Sequence, residues 1–129
     1  MNLTLKNKLI EQLNEIVTAK RVLTQTAKTS YYRCGFRSGK GEALAVVFPR
    51  TILEQWRLIS VCVDTNCIII MQAANTGLTE GSTPSGSNYD REVVIINTLL
   101  IKEIHLINDG KQAISLSGAS LHNLGKRLA

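Results

Sequence analysis

The residues best suited to ligand chemistry in this 129-residue chain run from Gln72 to Ser82, Gln-Ala-Ala-Asn-Thr-Gly-Leu-Thr-Glu-Gly-Ser, directly after the apolar run Cys67-Ile68-Ile69-Ile70-Met71. Small side chains let a backbone lie close against a ligand, and successive exposed N–H groups form a concave nest that suits phosphate oxygens. The chemistry on offer is anion binding. The spacing Gly77-x-x-x-Gly81 is not the G-x-G-x-x-G of a dinucleotide-binding turn, and no Gly-Lys-Ser/Thr of a phosphate loop is present. The amides of Ala74 to Gly77, with those of Gly81 and Ser82, are the ones expected to cover the phosphates of a dinucleotide.

A second cluster, Tyr31-Tyr32-Arg33-Cys34-Gly35-Phe36-Arg37, offers two guanidinium groups to a cofactor phosphate or a lipid head group, against the alternative of packing and solubility. His105 falls in an alternating strand pattern and His122 in a short terminal helix, neither with a partner for proton relay, so both read as structural or exposed. Cys34, Cys62 and Cys67 show no metal-ligand pattern and read as reduced, partly buried thiols. No metal site and no catalytic residue is expected.

The elements that must position the loop follow from periodicity and punctuation. Leu5, Leu9, Leu13, Ile16 and Val17 recur at helical spacing and predict an opening amphipathic helix; Thr24 to Gly41 shows little period and reads as a connector. Ala43 to Phe48, closed by Pro49, reads as a buried strand. Thr51-Ile52-Leu53-Glu54 matches a capping box, opening a helix whose core stripe is expected at Ile52, Trp56, Ile59 and Val63. Asp64-Thr65-Asn66 turns the chain into a strand from Cys67 to Met71. Strand, helix, strand of this length predicts a βαβ unit with parallel strands. Ala73 to Asn88 is then a long polar connection at the carboxyl end of a parallel strand, where open α/β sheets place ligands. Glu92 to Asn97 is a further strand. Ile101 to Ile107 and Gln112 to Leu116 flank Asn108-Asp109-Gly110-Lys111, a hairpin signal, and Ser120 caps a short helix from Leu121 to Leu128.

The formal net charge of +5 is concentrated in residues 1–41, where Lys6, Lys8, Lys20, Arg21, Lys28, Arg33, Arg37 and Lys40 face only Glu11 and Glu15. Such asymmetry suits an anionic membrane surface, a nucleic acid or a phosphate-bearing cofactor. Aromatic and basic residues do not interleave as in nucleic-acid modules, so no nucleic-acid partner is expected. No apolar run approaches the roughly 20 residues that span a bilayer, and Met1 to Ala19 lacks a signal-peptide core, which reads as a soluble cytoplasmic chain.

With its flanks from Ala45-Val46-Val47-Phe48-Pro49 to Asp90-Arg91-Glu92-Val93-Val94-Ile95-Ile96, the loop resembles the FAD-binding segment of the quinone-dependent D-lactate dehydrogenases, flavoenzymes of the vanillyl-alcohol-oxidase-type fold. Gly35-Phe36-Arg37-Ser38-Gly39 resembles the same family, and the likeness runs from Asn7 to Leu128. Its most specific part is Met71 to Ser82, where many members of the wider superfamily carry an Arg-Gly-Gly-Gly type of loop instead. Two departures lie outside that loop: Ser117-Gly118 stands where the family usually shows Pro-Gly, and Arg50 where it often has a small residue.

The resemblance implies an α/β (α+β) fold, the first lobe of such an FAD-binding domain, with a βαβ unit extended by an antiparallel hairpin. It implies FAD as cofactor, contacted by Ala73, Ala74, Asn75, Thr76, Gly77, Gly81 and Ser82. In a full-length protein of this kind D-lactate is oxidised to pyruvate and the electrons pass to a quinone. Peripheral contact with an anionic membrane, on the cytoplasmic face of the inner membrane, is then expected too. Those proteins are several times longer, so the chain reads as one partial FAD-binding domain over residues 1–129, with helix and basic connector in 1–41 and the FAD-binding lobe in 42–129. Such an amino-terminal fragment is expected to be inactive alone, the substrate-side groups lying outside it. The rival expectation is a non-catalytic anion-binding or interaction module on the same fold.

Overall fold

The computed structural model describes residues 1–129. Helix α1 (Leu3–Val17) is capped by Asn2, whose side chain accepts from the Leu5 amide at 2.9 Å. Leu9, Leu13 and Val17 of the expected stripe are buried, Ile16 packs against them, and Leu5 is exposed because the helix reaches beyond the body it covers. A 3-10 turn (Ala19–Arg21) leads into β1 (Val22–Leu23), an edge strand that the sequence reading missed for want of length. The stretch expected to be a plain connector also contains α2 (Thr26–Thr29), a single turn with no apolar period to reveal it.

Strands β2 (Ala45–Val47), β3 (Ile68–Gln72) and β4 (Val93–Asn97) form the parallel part of a sheet ordered β1-β2-β4-β3. The βαβ reading gave β2 and β3 the correct parallel sense. They are not neighbours, because β4 inserts between them, pairing Ala45 with Val94 on one side and Ile68 with Val93 on the other. A central strand is covered on both faces, so all five of its residues are buried.

Helix α3 (Ile52–Asp64) crosses back over the sheet and lies against α1. Thr51 caps it by accepting from the Glu54 amide at 3.1 Å. Glu54 takes its amide hydrogen from Arg50 at 2.7 Å rather than from Thr51, and is held sideways by the Arg21 guanidinium at 2.9 Å. The core face of α3 also differs from the expected stripe. Leu58 and Cys62 are buried and Ile59 is half-buried, whereas Ile52, Val63 and Trp56 are exposed, Trp56 by 62%. Apolar residues occupy two adjoining faces of this helix, and helical periodicity scores both; the narrow space between α1 and the sheet admits the face carrying Leu58 and the small Cys62.

The core joins Leu9, Leu13 and Val17 of α1 to Leu58 and Cys62 of α3, over Ala45, Val47, Val94 and Ile96 of the sheet. Beyond it, β5 (Ile104–Ile107) and β6 (Gln112–Ser115) pair antiparallel as a separate two-stranded sheet. Asn108, Asp109 and Gly110 all take positive φ in the connecting turn. Gly118 returns the chain to the main body, donating to the Ile101 carbonyl at 2.8 Å, and a Cβ there would lie 2.2 Å from the Thr98 carbonyl oxygen. Glycine is thus retained at the Pro-Gly position for a steric reason. The closing helix α4 (Leu121–Leu128) is capped by Ser120, which accepts from the Asn123 amide at 3.1 Å.

Candidate anion site at the end of the parallel sheet

β3 and β4 end in register on two side-chain amides, Gln72 opposite Asn97, both buried. A buried amide must satisfy its hydrogen-bonding groups, and this pair does so by binding the loop that follows. Gln72 Oε1 accepts from Asn97 Nδ2 at 3.0 Å, while Gln72 Nε2 donates to the Tyr32 carbonyl at 2.8 Å and the Ser82 carbonyl at 2.9 Å. Asn97 Oδ1 accepts from the Leu99 amide at 3.0 Å.

Three residues on, Asn75 takes φ 55°, a left-handed conformation that Asn tolerates better than most side chains. Its Nδ2 donates to the Cys34 carbonyl at 2.8 Å, and its Oδ1 accepts from the Ser82 hydroxyl at 2.7 Å and the Thr83 hydroxyl at 2.9 Å. The loop is thus braced from inside. The braces leave its backbone donors free: none of the N–H groups from Ala73 to Ser82 donates to another group of the chain. A Cβ placed on Gly77 or Gly81 would meet nothing within 4 Å, so the space over both is open. Neither glycine has positive φ; the left-handed positions are Asn75 and Glu80.

The segment Tyr31–Gly41 forms the platform under the loop. Cys34 and Lys40 bridge as a small antiparallel turn, and Gly41 and Gly86 bridge in parallel. Ser38 donates its hydroxyl to Glu80, and a Cβ on Gly41 would fall 2.5 Å from the Pro84 backbone. Arg33 turns inward rather than towards a ligand. Its guanidinium donates to Thr29 Oγ1 at 2.9 Å, the Gly41 carbonyl at 3.0 Å and the Thr26 carbonyl at 3.2 Å, locking α2 to the platform. Tyr32 packs edge-on against Phe48 with ring centroids 5.1 Å apart, and Arg37 is exposed.

Of the seven residues expected to meet the cofactor, Ala74, Thr76, Gly77 and Gly81 are exposed and Ala73, Asn75 and Ser82 half-buried, all on this one loop. The side chains of Asn75 and Ser82 face each other, leaving their amides for a ligand. The sequence reading missed Gln72, Asn97, Thr83 and the carbonyls of Tyr32 and Cys34. A readable signal existed: two lone amides, each closing an apolar strand.

Elsewhere, His105 and His122 are exposed, and no three metal-ligating side chains are grouped. Burial pushes the Cys62 thiol up to about 12, with the neighbouring Cys67 adding to it, so it is no nucleophile near neutral pH. A groove of about 520 Å³ opens at the opposite end of the sheet between Lys6, Glu42, Tyr89, Arg91 and Glu92. Its charges are of both signs, and Lys6 and Glu92 pair across it at 2.9 Å.

A run of unpaired amides beside open space, with the one carboxylate of the loop, Glu80, held by the Ser38 hydroxyl, fits the diphosphate of a dinucleotide. No family model matches the chain. It is 52% identical over 119 residues to quinone-dependent D-lactate dehydrogenase of Escherichia coli, covering 92% of this chain and 21% of that protein. The proteins of the same name in Haemophilus influenzae and Corynebacterium glutamicum are 51% and 47% identical, over 93% and 98% of this chain. The chain therefore spans about a fifth of the length of these relatives. In structure it is similar to alkyldihydroxyacetonephosphate synthase (TM-score 0.80, 16% identity, 95% of this chain and 24% of that one). It is also similar to p-cresol methylhydroxylase with substrate bound (TM-score 0.75, 14% identity, 99% and 25%). Over nearly its whole length the chain thus belongs with one segment of the quinone-dependent D-lactate dehydrogenases, on the FAD-binding fold of vanillyl-alcohol-oxidase type.

Proposed function

We propose that this chain is the part of a flavin oxidoreductase that anchors FAD by its diphosphate. The amides of Ala73, Ala74, Asn75, Thr76, Gly77, Gly81 and Ser82 receive the phosphate oxygens. The observation that carries the reading is the run of backbone donors without partners, held at the carboxyl end of parallel strands by two buried amides. Bound FAD would supply the redox chemistry; the chain's own residues bind the diphosphate, fix its orientation and hold the loop. In the whole protein the proposed reaction is oxidation of D-lactate to pyruvate with a quinone as electron acceptor, at the cytoplasmic face of a membrane touched peripherally. The substrate-side groups belong to the part of the relatives that this chain does not match, so the chain alone is inactive.

Calorimetric titration with FAD, ADP and riboflavin tests the anchoring role. FAD and ADP should bind weakly and riboflavin more weakly still, since it lacks phosphate, and D-lactate should drive no dye reduction. Riboflavin binding as tight as FAD, or turnover of D-lactate, overturns the reading. A non-catalytic anion-binding or interaction module is the second reading, favoured by the exposed apolar residues Ile52, Trp56 and Val63 on α3.

A further inference from the structure

Asn75 is connected more densely than a ligand-facing loop residue needs to be. Its Oδ1 accepts two hydroxyl hydrogens, from Ser82 and Thr83, and its Nδ2 reaches across to the Cys34 carbonyl, so one side chain ties the start of the loop to its end and both to the platform. The Ser82 hydroxyl is consumed by the same bond, and the Ser82 carbonyl is held by Gln72 at 2.9 Å. Between the two tied points lie Thr76 to Gly81, whose amides have no partner in the chain and whose two glycines touch nothing. Glu80 is tied as well, its carboxylate by the Ser38 hydroxyl and its carbonyl by the Thr83 amide at 3.1 Å, which leaves Thr76 to Thr79 with no hold of their own. An unbraced loop would lose its freedom only when the anion arrives, and that ordering would be subtracted from the affinity.

Resting on the anchoring role proposed above, we infer that Asn75 is a positioning residue. Its side chain preorganises the amide arc from Thr76 to Gly81, and neither it nor the Ser82 hydroxyl touches the bound diphosphate. Asn is suited to the place because the backbone there is left-handed, at φ 55°. Glycine accepts that backbone without strain and carries no brace, so Asn75→Gly removes the side-chain bonds and adds backbone freedom, and Ser82→Ala, which removes one brace bond and leaves the backbone as it is, separates the two effects.

Two measurements on the whole chain test this. The first is ¹⁵N relaxation without ligand. In the wild type the amides of Thr76 to Gly81 should be ordered like the rest of the backbone; in Asn75→Gly their order parameters should fall below about 0.6 while those of α1 and β4 stay unchanged. Ser82→Ala should loosen the same amides to a smaller extent, and it carries the test if Asn75→Gly does not fold. The second is a double-mutant cycle on FAD and ADP affinity. Asn75→Gly should weaken both ligands about tenfold or more, and Ser82→Ala should add nothing in that background, because its partner is already gone. Unchanged loop order in both variants, or a Ser82→Ala loss that persists undiminished beside Asn75→Gly, overturns the inference. If the wild type binds neither FAD nor ADP, the anchoring role falls, and the brace is judged by the relaxation measurement.

Discussion

Gln72 and Ser82, ten residues apart, are joined by one bond: the Gln72 side-chain Nε2 donates to the Ser82 carbonyl at 2.9 Å and so closes the mouth of the loop that presents the free amides. The same nitrogen holds the Tyr32 carbonyl, and the oxygen of that side chain accepts from Asn97. The buried last residue of β3 thus fixes the loop, the platform and the neighbouring strand at once.

Replacing Gln72 by Leu keeps the volume and strips two half-buried carbonyls of their donor. Each unsatisfied group costs on the order of 1–3 kcal/mol, so a loss of about 3 kcal/mol is expected in urea unfolding, together with loss of FAD binding. A variant with wild-type stability would show that the Gln72 bonds do not hold the loop.

Gly77 separates fold from ligand. The space beside it is open and its φ lies outside the left-handed region, so Gly77→Val should change stability by less than about 1 kcal/mol. The added methyls enter the space proposed for the diphosphate, so FAD affinity should fall at least tenfold. Wild-type flavin occupancy in a folded Gly77→Val protein would remove this glycine from the cradle.

On α3 the two apolar faces should respond in opposite ways. Leu58 is fully buried, and Leu58→Ala should cost about 2–5 kcal/mol through lost contacts and a residual cavity. Trp56→Ala should cost about 0.5 kcal/mol or less, and the wild-type indole should emit as a water-exposed tryptophan open to iodide quenching. Quencher-protected fluorescence would mean that the exposed face is covered in solution.

Arg21 sets the acid response of one cap. Its hydrogen bond to Glu54, with the Arg50 amide assisting, holds the carboxyl below its ordinary value of 4.5 against the opposing effect of burial. A group with a lowered folded value adds stability above its unfolded value, and that stability disappears as pH falls through the folded one. Glu54→Gln should therefore lower stability on the order of 1 kcal/mol at pH 7, with the difference shrinking below pH 4.5. A gap between wild type and variant that is constant from pH 7 to pH 3 would contradict this.

Membrane contact by the basic first third should be weak. Of the four cations on α1 and the turn after it, Lys6, Lys8, Lys20 and Arg21, Lys6 pairs with Glu92 and Arg21 with Glu54, both at 2.9 Å, so two are already engaged. Lys8 and Lys20 remain, each contributing roughly 1 kcal/mol near an anionic surface and less as salt shortens the Debye length to about 8 Å. Co-sedimentation should show binding to anionic vesicles at low salt only and none to neutral ones. Equal binding to both would rule out electrostatic docking.

The sequence alone determined the elements whose signals are local. Leu9, Leu13 and Val17 mark the buried side of α1, Thr51 the start of α3, Asn108-Asp109-Gly110 the hairpin turn, and the small polar residues from Ala73 to Ser82 an irregular loop after β3. Each depends on backbone preference or on a spacing of a few residues, which a sequence displays directly. Tertiary structure decided what depends on distant partners. The insertion of β4 between β2 and β3 is a pairing across more than twenty residues of chain, and hydrophobic runs do not say which neighbour they will have. The choice of Leu58 and Cys62 over Trp56 as the inner face of α3 was made by the space left between α1 and the sheet. The bracing of the loop by Gln72, Asn75 and Asn97 arose because buried amides must find partners, and only the folded chain brings the carbonyls of Tyr32, Cys34 and Ser82 within reach.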